Sequence, residues 1–158
     1  LIFFISLFIV IGGVEHSGLL KVVGEQFHDI IDGNPKLAAL QLMWIAAILS
    51  ALIDNIPFTA AMIPVLSGLQ MDGVNVSVLW WALAMGVGMG GNGTHIGSTA
   101  NVYIVTISER LAKETGNPAM AITPGLWLRK GTPVMLITLV LCSLFIWFGY
   151  DYLYIPSP

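Results

Sequence analysis

Residues 50–59 read SALIDNIPFT, and they place a carboxylate, an amide and a proline in the middle of an apolar sequence. Apart from Asp54, the stretch from residue 37 to residue 71 carries no charged side chain. Pro57 cannot donate a backbone hydrogen bond, and it pushes the preceding residue out of the α region. We therefore predict a helix that stops near Asp54 and restarts near Phe58, so that two helix ends meet inside an apolar setting.

A second polar break lies at residues 90–101, which read GGNGTHIGSTAN within the charge-free run 73–108. Its carbonyls, hydroxyls and amides are neutral, and they can replace the hydration shell of an ion or surround an oxyanion. Non-helical backbone at membrane depth must line a cavity or be buried in protein, and transporters use such interrupted helices. The two breaks together favour a transport protein.

The composition of the 158-residue chain is that of a membrane protein. Lys+Arg number 6 and Asp+Glu number 9, so that 9% of the residues are charged, while 56% are hydrophobic. Ordinary globular domains carry roughly 25% charged residues. Intrinsic disorder and nucleic-acid binding are excluded, and an almost entirely helical integral membrane protein is predicted, since apolar spans must satisfy their own backbone. The one cysteine, Cys142, excludes a disulfide framework.

Helix packing explains a pattern that otherwise suggests a cofactor. Residues 86–91 match G-x-G-x-x-G, but the preceding LWWALAM is not a strand, so a dinucleotide site is rejected. Ala82, Gly86 and Gly90 instead predict a small-residue face for close helix contact.

Charges and caps divide the chain into segments. Asn34-Pro35 predicts a helix start, and Thr132-Pro133 predicts the start of the last apolar run. Trp127 and the C-terminal tyrosines predict interfacial belts. Residues 109–131 hold four of the six basic residues and are placed in the cytoplasm. The predicted segments are the end of a transmembrane helix (1–14), an interfacial segment (15–34), a hairpin or full crossing (35–70), a broken transmembrane helix (78–112) and a last transmembrane helix (132–151).

The first break supplies the candidate for chemistry. Asp54 is the one carboxylate within an apolar stretch, and burying it unpaired is costly, so it pairs with a cation or is protonated. The alternative is that Asp54 and Asn55 only cap a kink. His95 can titrate near neutral pH as a proton relay, or it can be a structural hydrogen-bonding residue. No motif supports catalysis, because the three histidines are scattered and no carboxylate pair shares a face, so the chain is not expected to be an enzyme.

At these breaks the sequence resembles a known family. SALIDNIPFTAAMIPVL, and GGNGTHIGSTANVYIVTISER further on, are similar to the ArsB/NhaD permease family of the ion transporter superfamily, and most of all to its branch containing the melanosomal P protein. The resemblance covers residues 1–150. It implies an all-α inverted-repeat fold of which this chain is the C-terminal repeat only, with a re-entrant hairpin over 35–70 and a helix broken at the bilayer midplane over 78–112.

The resemblance also implies a site between the hairpin tip and the unwound helix. The substrate- and ion-binding residues that it implies are Asp54, Asn55, Thr59, Asn92, Gly93, Thr94, Ser98, Thr99 and Asn101. His95 is the candidate proton relay, and Asp54, Asn55 and Asn92 are candidate ligands for a sodium ion. Dicarboxylate transporters of the superfamily carry Ser-Asn-Thr at their hairpin tips, whereas this chain has Asp-Asn-Ile-Pro. This difference favours a small inorganic ion.

The function expected on these grounds is secondary active transport of a small ion or oxyanion, as in arsenite permeases, coupled to Na+ or H+ and without a cofactor. The alternatives are a Na+/H+ antiporter and, in another class, a non-transporting membrane scaffold subunit. The expected partners are the lipid bilayer, a missing N-terminal repeat and, in a homodimer, a second copy. The abrupt apolar start at Leu1 predicts a cut through a transmembrane helix, and the other possibility is an obligate half-protein.

Overall fold

The computed structural model describes residues 33–155, together with residue 31 and positions 5–6, 9, 12–13 and 16–18. The predicted helix end (1–14) and interfacial segment (15–34) therefore lie largely outside the described residues. Within residues 33–155 every regular element is helical, which confirms the predicted all-α class. The elements are α1 Pro35–Leu52, α2 Asn55–Met71, α3 Ser77–Gly90, α4 Thr99–Thr115 and α5 Pro124–Leu153, with 3-10 turns at Gly91–Gly93 and Pro118–Met120.

Local chemistry fixes where α1 begins and where α2 follows it. Asn34 caps α1 by accepting a hydrogen bond from Leu37 N–H at 3.1 Å, as the sequence predicts. The predicted restart near Phe58 is wrong by one turn, because α2 begins at Asn55 with Asp54 as its cap. Pro57 fits inside this first turn, where the backbone N–H groups have no helical acceptor in any case.

The last helix begins earlier than the sequence indicates. Thr123 caps α5 by accepting from Leu126 N–H at 3.2 Å, and Pro133 lies inside the helix. Thr132-Pro133 therefore does not start the helix, and the predicted span 132–151 lies within a longer one. A proline is tolerated inside a membrane helix where neighbouring groups satisfy the backbone that it frees.

The small-residue face predicted on α3 packs tightly against α1. A Cβ on Gly86 would lie 2.4 Å from Met43 O, and a Cβ on Gly90 would lie 2.3 Å from Ala47 O. Going from the first contact to the second, the residue number rises by four in both helices, so α1 and α3 run parallel. This confirms the predicted close helix contact.

Helix α5 runs antiparallel to α1. The Lys36 ammonium lies 5.1 Å from the centre of the Tyr150 ring, and Trp44 Nε1–H donates to Ser143 Oγ at 3.0 Å further along. Much of α5 remains exposed, including Ile137, Leu141 and Phe148. Two segments of the described residues are long and apolar enough to cross a membrane, Pro35–Leu52 and Pro118–Leu153.

The direction of α2 follows from its neighbours. A short turn joins the end of α2 to the start of α3, and Asn75 in this turn donates to Ile155 O at 2.7 Å. This is the end of the bundle where α1 also begins. Helices α1 and α2 therefore form a hairpin whose tip, at residues 53–54, lies at the opposite end beside the break that follows α3.

Candidate functional site

Four helix ends meet at the tip of the α1–α2 hairpin. They are the end of α1, the start of α2, the end of α3 with its 3-10 turn, and the start of α4. Side-chain hydrogen bonds join the hairpin tip to the second break, since the Thr94 hydroxyl donates to Ala51 O and the Thr99 hydroxyl donates to Asp54 Oδ2 at 2.5 Å. The two sequence breaks thus form one polar junction.

Both carboxylate oxygens of Asp54 accept hydrogen bonds at helix starts. Oδ1 accepts from Ile56 N–H at 3.0 Å, which caps α2, and Oδ2 accepts from Thr99, the first residue of α4. The partial positive charge at a helix N-terminus favours an anionic group. The half-buried Asp54 side chain therefore connects the starts of two helices.

In the second break, four successive carbonyls are bound by side chains. Asn101 Nδ2–H donates to Gly91 O at 2.8 Å and to Thr94 O at 3.2 Å. The carbonyls between them are bound from α5, because Trp127 Nε1–H donates to Asn92 O at 3.1 Å and Thr132 Oγ–H donates to Gly93 O at 2.8 Å. These donors replace the helical hydrogen bonds that the break gives up.

Glycines allow the backbone of the break to be packed this closely. A Cβ on Gly93 would lie 2.5 Å from Met135 Sδ and 3.1 Å from Ala51 Cβ, and one on Gly97 would lie 2.7 Å from Gly91 O. Neither position has room for a side chain. The break is therefore held between α1 and α5 as compact, buried backbone.

Several predicted site residues make only local contacts. Ser98 caps α4 through Ala100 N–H at 3.3 Å, and the Thr59 hydroxyl donates to Asn55 O one turn back in its own helix. Within the described residues, His95 and the side chains of Asn55 and Asn92 make no hydrogen bond. The structure thus joins Asp54 to Thr99 and Thr94 to Asn101, and the sodium ligand set of Asp54, Asn55 and Asn92 stays a prediction.

Three residues outside the predicted set hold the junction together. Ser50, which is fully buried, donates to Val87 O at 3.0 Å, and Trp127 and Thr132 bind the second break. The sequence suggested an interfacial belt for Trp127 and a helix start for Thr132. The available signal was the four-residue spacing of Trp127, Gly131 and Met135, which puts one small residue between two large ones on a single helix face.

The junction consists mostly of oxygen-bearing groups. It combines one carboxylate with neutral hydroxyls, amides and backbone carbonyls, which are ligands for hard cations. No Lys or Arg side chain donates a hydrogen bond to either break within the described residues. A helical hairpin whose tip meets an interrupted helix is the architecture in which secondary transporters build their sites.

Comparison with known proteins identifies the family within this class. The citrate transporter family (CitMHS) matches residues 1–86, which is more than half of the chain. The chain therefore belongs to the citrate transporter family, a family of multi-pass integral membrane transporters and not of enzymes. The likeness to the ion transporter superfamily that the motifs indicated is confirmed.

The relatives are much longer than this chain. The 46 kDa membrane protein of Mycobacterium leprae is 33% identical over 153 residues, 95% of this chain and 34% of the relative. An uncharacterized transporter of Mycobacterium tuberculosis gives the same values. The human P protein is 45% identical over 118 residues, 70% of this chain and 14% of that protein. The chain spans about a third of the mycobacterial relatives, and no solved structure matches it.

Proposed function

We propose that this chain is one repeat of an inverted-repeat secondary active transporter, and that a small inorganic ion crosses the membrane at the junction of its two breaks. The hairpin geometry supports this proposal. Helices α1 and α2 span about 27 Å and 25 Å at 1.5 Å per residue, and both open ends lie at the end of the bundle opposite the tip. This arrangement is consistent with a re-entrant hairpin formed by α1 and α2, and with α3 and α4 as the discontinuous transmembrane helix.

Asp54 is the coupling group of this transporter. The observation that carries the assignment is its position, since its carboxylate accepts hydrogen bonds at the starts of both α2 and α4. A proton or a sodium ion on Asp54 weakens the bond from Thr99 and so changes the attachment of the hairpin tip. Binding a cation at Asp54 is thereby linked to movement between the two breaks, which is what coupled transport requires.

Na+/H+ exchange is the second candidate, and a specific observation favours it over oxyanion transport. The helix starts that could attract an oxyanion already bind protein acceptors, Asp54 at α2 and Ser98 at α4. An oxyanion such as arsenite must compete with a carboxylate there. Citrate, named in the family description, is more strongly anionic and meets no hydrogen-bonding cation at the described junction.

Transport by membrane vesicles containing the natural protein tests the proposal. Arsenite uptake, citrate uptake and sodium-driven proton flux are measured for the wild type, for Asp54→Asn and for Asp72→Asn. We expect Asp54→Asn to abolish the dependence on Na+ or H+. Asp72→Asn, in the exposed turn at the opposite end, is the matched control and keeps it. Normal coupling in Asp54→Asn refutes the role of Asp54, and absence of all three fluxes in the wild type favours the scaffold alternative.

The hairpin has its own test. Single cysteines replace Lys36 and Gln70 in a Cys142→Ser background, which removes the one thiol of these 158 residues. A membrane-impermeant thiol reagent should label both positions from the same side of intact cells. Labelling from opposite sides means that residues 35–70 cross the membrane, and the re-entrant hairpin is then wrong.

A further inference from the structure

Helix α5 holds the second break through two side chains on adjacent turns. Trp127 Nε1–H lies 3.1 Å from Asn92 O, and Thr132 Oγ lies 2.8 Å from Gly93 O. Gly131 lets the helix approach, because a Cβ there would lie 2.6 Å from Asn92 O. Helix α5, which is part of neither break, therefore fixes two neighbouring carbonyls of the second break.

The fixed carbonyls lead directly to the groups around Asp54. Thr94 follows Gly93 and donates through its hydroxyl to Ala51 O, three residues before Asp54. Asn101 bridges the two outer carbonyls of the break and lies two residues after Thr99, the donor to Asp54. A shift of the backbone at residues 92–93 must therefore move the Thr94 hydroxyl that binds the end of α1 and, through Asn101, the start of α4 that carries the Thr99 hydroxyl.

We infer that Trp127 and Thr132 are positioning residues of the ion site, which set the affinity of the coupling cation by fixing the second break, without touching the ion. The inference rests on the proposed function in placing the cation at Asp54. Neither residue belongs to the site predicted from the sequence, and no local sequence pattern assigns a site role to α5. Loss of either donor leaves a carbonyl without its partner and lets the break relax.

Three variants test the inference in vesicles containing the natural protein. Thr132→Val keeps the shape and removes the hydroxyl, Thr132→Ser restores the hydroxyl, and Trp127→Phe removes the N–H donor. We expect Thr132→Val and Trp127→Phe each to raise the half-saturating concentration of Na+ or H+ about fivefold, which corresponds to one hydrogen bond. The maximal rate should change less than about twofold, and Thr132→Ser should recover most of the affinity.

Matched controls lie on the same helix. The Thr138 hydroxyl donates to Val134 O and Met135 O within α5, and Trp147 is exposed. Thr138→Val and Trp147→Phe should leave the half-saturating concentration unchanged. An equal shift in these controls, or a loss of maximal rate with unchanged affinity in Thr132→Val, means that α5 acts only through stability, and the inference is then wrong.

A readout without transport separates this inference from the proposed function. Ile96→Cys in a Cys142→Ser background puts a single thiol at an exposed position of the break. We expect Thr132→Val to raise its labelling rate several-fold, and Thr138→Val to leave that rate unchanged. Unchanged labelling in Thr132→Val overturns the inference. If the wild type carries no ion, the proposed function fails, while the labelling result still shows whether α5 fixes the break.

Discussion

The two breaks differ in how firmly the rest of the protein holds them. The first break is the pair Ile53 and Asp54 between α1 and α2, and Ile53 is 48% exposed. The second runs from the 3-10 turn to the start of α4, and its glycines at 91, 93 and 97 are buried. Side chains from α4 and α5 bind four of its carbonyls.

This difference assigns different mechanical roles to the breaks. Among the described residues, two side-chain hydrogen bonds join the hairpin tip to the second break, from Thr99 to Asp54 and from Thr94 to Ala51 O in the last turn of α1. The second break is clamped between α1 and α5 by contacts that leave no room for a Cβ. We therefore expect the hairpin tip to move away from the second break when these two hydrogen bonds break. The second break itself stays fixed, and we call it the platform.

The largest effect on stability is expected where the end of α3, directly before the platform, packs against α1. Gly90→Ala places a methyl group 2.3 Å from Ala47 O and 2.5 Å from Ala47 Cα, both of them backbone atoms, so α1 and α3 must separate. We expect a loss of at least ~2 kcal/mol of stability, typical of overpacking. The measurement is the midpoint of thermal unfolding in detergent micelles.

Gly88→Ala is the matched control for that substitution. Gly88 lies on the same helix with nothing within 4 Å of its added Cβ. Its stability should change by less than about 1 kcal/mol, with the helix propensity of alanine in its favour. Equal losses in Gly88→Ala and Gly90→Ala would show that α1 does not clamp the platform.

An intermediate effect is expected at the attachment of the tip. Thr99→Val removes the donor to the Asp54 carboxylate and should cost roughly 1.5–3 kcal/mol, while Thr94→Val, which loses a neutral bond to Ala51 O, should cost about 1 kcal/mol. Both variants should raise the labelling rate of Ile53→Cys in a Cys142→Ser background, Thr99→Val more than Thr94→Val.

The control for the tip lies on α4 itself. The Thr106 hydroxyl donates at 2.8 Å to Val102 O of its own helix, so Thr106→Val should leave labelling at residue 53 unchanged. The double variant Thr94→Val/Thr99→Val should exceed the sum of the single variants if the two bonds hold one tip together. Simple additivity would mean that the two bonds act independently.

The smallest effect on stability is expected at the contact between Ser50 in α1 and Val87 O in α3. Ser50→Ala removes a buried donor to Val87 O, but that carbonyl still accepts from Gly91 N–H. The loss of stability should be about 1 kcal/mol or less, with no change of labelling at residue 53. Ser67→Ala, whose hydroxyl makes no hydrogen bond to the described residues, is the control. A large effect of Ser50→Ala on labelling would show that the end of α1 belongs to the fixed platform.

Local patterns predicted where the two breaks lie. Pro57 and the charge-free arms located the first break, and the run of glycine, asparagine and threonine located the second. Its Asn101 binds the break at both ends. The restart of α2 was misplaced by a turn, because a proline fits the first turn of a helix as well as it stops the previous one.

The contribution of α5 could not be predicted in the same way. A tryptophan near the end of an apolar run looks the same whether it faces a membrane interface or a neighbouring backbone. Thr132 before Pro133 likewise matches a helix cap in sequence, although here it lies inside α5. For both residues, the role depends on which acceptor the side chain binds.

The sequence by itself determined the membrane class, the positions of the two breaks, the cap at Asn34 and the small-residue face of α3. These depend on composition and on neighbours within one or two helical turns. Only the tertiary structure decided that Thr99 meets Asp54 and that Thr132 meets Gly93, pairs that lie 45 and 39 residues apart. Such contacts are set by the directions in which the helices pack, which no local pattern encodes.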